Sequence, residues 1–217
     1  MEKHQPAGRT RRDFVWTALA LPGILGLVVR GRHKASAQTQ TLPPTPSCAE
    51  KDEVTPSQME GPYYKRHSPQ RTSLLEPGIT GTKIVISGSV LSTDCRPIAH
   101  ALVDFWQADA QGVYDNAGYR LRGHQFTDAA GRYSLETVVP GRYPGRTRHV
   151  HVKVQAPNQP ILTTQLYFPD EPSNARDGLF NPHLLITVQD TNEGKTALFN
   201  FVLESHPRKT RTRSEQG

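Results

Sequence analysis

The residues best able to do chemistry lie in the run Pro140-Gly141-Arg142-Tyr143-Pro144-Gly145-Arg146-Thr147-Arg148-His149-Val150-His151-Val152-Lys153-Val154. Val150, Val152 and Val154 alternate, which predicts a strand with one apolar face and puts His149 and His151 together on the other. Two imidazoles two residues apart on a rigid strand can converge on one metal ion. The same spacing describes two polar residues on a solvated strand face, and the pair alone does not choose between these.

The elements that must hold this strand are short. Apolar alternation predicts strands over Lys83–Leu91, Ala101–Ala108, Arg132–Val138, Arg148–Ala156, Leu162–Phe168, Leu184–Gln189 and Ala197–Leu203. Turn residues separate them, as at Asp94-Cys95-Arg96-Pro97, Pro140-Gly141 and Asn192-Glu193-Gly194. Thr127-Asp128 with Gly131 reads as a hairpin turn rather than a calcium loop. No long helical period and no internal repeat occur, so the expected fold is all-β, a β-sandwich of about seven or more short strands. Residues 38–81, rich in Pro, Ser and Thr, read as an extended N-terminal arm and 82–205 as the sandwich. Trp106 is expected in the core, and His100, His124 and His183 as surface or hydrogen-bonded histidines.

The strand Ala101-Leu102-Val103-Asp104-Phe105-Trp106-Gln107-Ala108-Asp109 runs into Gln111-Gly112-Val113-Tyr114. Together with Pro140-Gly141-Arg142-Tyr143 and Arg146-Thr147-Arg148-His149-Val150-His151, these segments resemble the intradiol ring-cleavage dioxygenases, the family of catechol and protocatechuate dioxygenases. Thr164-Gln165-Leu166-Tyr167-Phe168 is similar to a family segment that brings a glutamine near the substrate. Gly61-Pro62-Tyr63-Tyr64 is similar to one that lines the pocket. The resemblance covers roughly residues 60–205, and five motifs agreeing in order by chance is improbable. Two departures stand out. Tyr143 and His149 are only six residues apart, which shortens a loop and should open one wall of the site. A helical dimerisation segment found in the catechol enzymes is absent, and in these features the chain resembles a secreted branch of the family.

The resemblance implies four metal ligands, Tyr114, Tyr143, His149 and His151, around Fe(III). Phenolates are hard anionic donors that favour the ferric ion, whereas two histidines and a carboxylate suit Fe(II). It implies a small catechol substrate and O2, with the ring opened between its two hydroxylated carbons to a muconate-type diacid. Tyr143 would also accept a substrate proton, and Arg146 would stabilise charge developing on the ring. The structural alternative for Arg146 is an ion pair with Asp104 or Asp109. Gln165 is either a substrate neighbour or a cap for a buried backbone group. Tyr63 and Tyr64 are pocket candidates.

The formal charge of +6 would invite a nucleic-acid partner if it were spread over the fold. Residues 1–37 hold seven of the 26 Lys and Arg and two of the 20 Asp and Glu, and 206–217 hold four and one. That leaves 15 bases against 17 acids, or −2, for the body, so a nucleic-acid partner is not expected. Thr10-Arg11-Arg12-Asp13-Phe14, an apolar run to Val29 and Ala35-Ser36-Ala37 resemble a twin-arginine export signal over 1–37. The expected location is periplasmic or extracellular, with no stable membrane insertion once the signal is removed; the sequence leaves the oligomeric state open. In an oxidising compartment Cys48 and Cys95, the only cysteines, are expected to pair. The basic tail 206–217 is expected to be disordered. The rival reading is a non-catalytic exported β-sandwich binding module, which has no reason to hold the two tyrosines and two histidines in register.

Overall fold

A computed structural model of the protein describes residues 54–204. The expectations for the leader over 1–37, the start of the arm, Cys48 and the tail 206–217 lie outside the described residues. Cys95 is disulfide-bonded.

Among the described residues nine strands form two sheets. β1 (Lys83–Ser92), β4 (Arg132–Val138), β7 (Thr187–Thr191), β8 (Gly194–Leu198) and β9 (Phe201–Leu203) make one. Its order is β4-β1-β8-β7, with β9 pairing the far end of β1. The other is β3-β2-β5-β6, from β2 (Leu102–Trp106), β3 (Arg122–Phe126), β5 (His149–Gln155) and β6 (Leu162–Tyr167), all antiparallel. The only helices among the described residues are two 3-10 turns, Asn174–Arg176 and Pro182–Leu184. The fold is therefore an all-β sandwich.

Three sequence expectations change. β3 was not anticipated, because Arg122-Gly123-His124-Gln125-Phe126 does not alternate. The expected last strand is two, β8 and β9, broken at Phe199-Asn200 where Phe199 N–H donates to Ser87 O. The turn at Asp128–Gly131 closes no hairpin, since β3 and β4 belong to different sheets. Asp128 shapes it by accepting from the N–H groups of Ala130 and Arg132, and Gln125 bridges the gap by bonding both backbone groups of Ser134.

One core fills the space between the sheets, with Ile84, Ile86 and Leu135 facing Val103, Val150, Val152 and Val154. Full burial of such side chains stabilises by roughly 1.5–3 kcal/mol each. It also fixes the register of β5, because a slip of one residue would turn the valines out and the histidines in. Residues 54–81 run over both sheets without a strand of their own. Residues 69–74 bond in turn to His124 on β3 and Glu136 on β4, covering an edge of each sheet. Further upstream, Gln58 N–H donates to Thr163 O on the edge strand β6, and from there the stretch crosses the outer face of the histidine sheet, where Gly61 lies against the His151 ring.

Candidate metal centre

His149 and His151 stand on the face of β5 opposite the valines, as the alternation requires, yet they are only 3% and 1% exposed. A solvated strand face is thereby excluded. Trp106, opposite His151 on β2, stacks on its ring at 4.7 Å and 7°. Trp106 thus walls the site instead of joining the main core. Tyr64 packs on the other side of Trp106, and its hydroxyl is 3.3 Å from Asp104 Oδ2.

The tyrosines arrive on two turns that press backbone against backbone. Asp109 organises the first by accepting from the N–H groups of Gln111 and Val113 through Oδ1, while its carbonyl accepts from Gly112 and Gly141. Gly112 has φ +86°, and a Cβ there would lie 2.2 Å from Arg142 O; one on Gly141 would lie 2.3 Å from Gly112 N. The glycines of the two motifs are what let Tyr114 and Tyr143 meet. Their ring centroids are 5.7 Å apart, with Tyr143 5.6 Å from His149, Tyr114 6.5 Å from His151 and the two imidazoles 4.7 Å apart. Tyr63 stacks on Tyr114 at 4.3 Å and closes the cluster from the arm.

Two polar atoms of this cluster, Tyr114 Oη and His151 Nδ1, are buried without a hydrogen-bond partner among the described residues. Such an arrangement costs stability unless something else binds them. His149 Nδ1 is 2.7 Å from Thr147 O, which can only accept, so Nε2 presents a lone pair. That nitrogen lies 3.1 Å from His151 Nε2. Two nitrogens each ~2.1 Å from a shared ion at close to a right angle would be this far apart. Burial, then the Arg146 charge, lowers the His149 pKa to about 4, and burial with His149 beside it holds His151 well below the usual imidazole value, so both rings are neutral. Burial foremost raises the pKa of Tyr114 and of Tyr143, so ionising either phenol requires a nearby cation. Among the described residues no group of three or more His, Cys, Asp or Glu could hold a metal. The donors here are two imidazoles and two phenols, a set that fits a hard, highly charged ion.

Arg146 reaches the cluster from one side. Its Nη1 donates to Tyr143 Oη at 3.3 Å and its Nη2 to Gln165 Oε1, while Nε pairs with Asp177 Oδ2 at 2.9 Å. The acid is therefore Asp177, not Asp104 or Asp109. Asp104 instead accepts from Ser68 and Tyr64. Burial alone would raise the Asp177 pKa, but the N–H groups of Thr147 and Leu179 and the Arg146 guanidinium hold it below the usual value. Gln165 lies across from His151 on β6, fully buried, with Nε2 donating to Met59 O. Its amide joins Arg146 to the arm.

The sequence passed over three residues. Asp177 sits in an irregular loop with no spacing to mark it. Tyr167 shares the face of Gln165 two residues on, and its hydroxyl is 2.6 Å from Gln58 Oε1. Arg122, buried on the unanticipated β3, donates to Tyr63 O and Asp115 O with its guanidinium 5.9 Å from the Tyr114 ring centroid.

Comparison with known proteins bears directly on this cluster. The family model Dioxygenase_C, described as Dioxygenase, matches residues 59–205. Catechol 1,2-dioxygenase 2 of Acinetobacter lwoffii is 30% identical over 192 residues, 74% of this chain and 70% of that protein. The chain belongs to the intradiol ring-cleavage dioxygenase family. A second relative in this family, the protocatechuate 3,4-dioxygenase beta chain of Burkholderia cepacia, is 34% identical over 118 residues, 46% of this chain and 50% of that one. Among solved structures, the dioxygenase domain of a dioxygenase carbohydrate-binding protein fusion from Streptomyces sp. SirexAA-E is 53% identical with a TM-score of 0.69. That match covers 71% of this chain and 100% of the other. The family match begins at residue 59, inside the segment expected as an arm, in keeping with Tyr63 and Met59 reaching the site.

Proposed function

We propose that the protein is a non-haem Fe(III) dioxygenase that opens catechol rings between the two hydroxylated carbons with O2, giving muconate-type diacids. The observation that carries this reading is the gathering of Tyr114, Tyr143, His149 and His151, with a buried phenol lacking a partner and two imidazole nitrogens 3.1 Å apart. These four residues would hold the ion, which when bound would make a chelated catechol reactive toward O2. Tyr114 is buried, whereas Tyr143 is half-buried and lines a cavity, so Tyr143 is the phenol placed to accept a proton from an entering catechol hydroxyl. Arg146, fixed by Asp177 and Gln165, presents a guanidinium where negative charge would develop on the ring. Trp106 and Tyr63 cover the ligands and keep water from them.

The test is direct. Iron-loaded protein should absorb in the visible through tyrosinate-to-iron charge transfer, and O2 uptake with a catechol panel should give the ring-opened diacids. Tyr114→Phe should lose most of that band and bind less iron; a colourless, zinc-filled protein would sink the assignment. The 1–37 leader supports export to the periplasm or beyond, which cell fractionation and the N-terminal sequence of the mature protein would check.

A further inference from the structure

Beside Tyr143 lies a cavity of about 610 Å³ whose wall carries four arginines, Arg142, Arg146, Arg148 and Arg176. Two are already answered. Arg146 pairs with Asp177, and Arg148 Nε pairs with Glu171 at 2.6 Å while Nη1 donates to Pro140 O. The other two side chains, Arg142 and Arg176, make no hydrogen bond or ion pair among the described residues. Arg142 comes from the turn that carries Tyr143, Arg176 from the end of the first 3-10 turn. Guanidinium groups left without anions around one cavity attract an anionic ligand, and their planar fork matches a carboxylate.

The volume narrows the choice. Cavities of ~300–1,000 Å³ take drug-sized molecules, so this one has room beyond a single ring seated against Tyr143. We propose that the cavity receives a side chain of the catechol ending in a carboxylate, bound by Arg142 and Arg176. The substrates favoured are then catechols bearing an acid on a short chain rather than unsubstituted catechol. This deepens the ring-cleavage reading and rests on it for the position of the ring. Both arginines are exposed, and exposed ion pairs are weak. The preference is therefore about tenfold, not a thousandfold.

The experiment compares kcat/KM for 3-(3,4-dihydroxyphenyl)propanoate, its methyl ester and 3,4-dihydroxybenzoate with the iron-loaded full chain at low salt. The acid should exceed its ester by about tenfold, the margin should shrink as salt is added, and R142Q/R176Q should bring the ratio close to one. Equal rates for acid and ester, or a ratio untouched in the double variant, would overturn the proposal. A preference for the carboxylate borne directly on the ring would overturn the side-chain assignment. Equilibrium dialysis of 3-phenylpropanoate against 3-phenylpropanol asks for no chemistry and separates this proposal from ring cleavage. Selective retention of the acid that is lost in R142Q/R176Q supports the subsite even if no ring is opened, and equal retention rejects it even if catechol is cleaved.

Discussion

The Arg146 guanidinium is tied to four side chains, those of Asp177, Gln165, Tyr143 and Tyr167. Asp177 fixes its Nε, Gln165 takes one terminal nitrogen and Tyr143 the other. Such a guanidinium is already oriented before substrate arrives, which is when an electrostatic contribution to a transition state is largest. Arg146→Ala should therefore keep iron and colour yet slow ring opening by at least about tenfold, or ~1.4 kcal/mol of barrier. Wild-type turnover in that variant would reduce Arg146 to a structural ion pair. Steady-state O2 uptake alongside the visible spectrum separates the two outcomes.

Between residues and molecule stand the two tyrosine turns, whose contact depends on having no side chain at Gly112 and Gly141. Gly112→Ala would need a left-handed backbone, which costs about 1–2 kcal/mol, and would drive its Cβ into Arg142 O. The variant should melt earlier and hold less iron per chain, and an unchanged melting temperature with full iron content would contradict this packing. The turns also show what a sequence can convey. Gly112-Val113-Tyr114 and Pro140-Gly141-Arg142-Tyr143 were legible through their resemblance to family motifs, and the structure adds why each tyrosine has a glycine beside it. The valine alternation of β5 was legible because one face must enter the core. β3 was not, since Arg122 and His124 earn their places through contacts with Tyr63 and Ser68, more than fifty residues upstream. Asp177 stayed hidden for the same reason. Its partners Arg146 and Thr147 lie about thirty residues upstream, and nothing in Ala175-Arg176-Asp177-Gly178 announces them.

At the scale of the molecule, Asp177 links the irregular segment after β6 to the loop before β5, so its titration enters global stability. Its folded pKa lies below the unfolded value of about 3.9. The stability it contributes is thus complete above that pH and is lost as pH falls through the lower folded value. Asp177→Asn should flatten acid unfolding below about pH 4, and urea midpoints that fall as steeply as in the wild type would show that other carboxyls govern it. A last feature concerns the two ends of the described chain. Thr55 N–H donates to Val202 O, and Val202 N–H donates to Thr55 Oγ1. Entry and exit are therefore adjacent, and the cut between them is a matter of gene order rather than architecture. A circular permutant of residues 55–202 sealed there and reopened at the Asn192–Glu193 turn should still gather Tyr114, Tyr143, His149 and His151, since the new ends fall outside every segment that carries them.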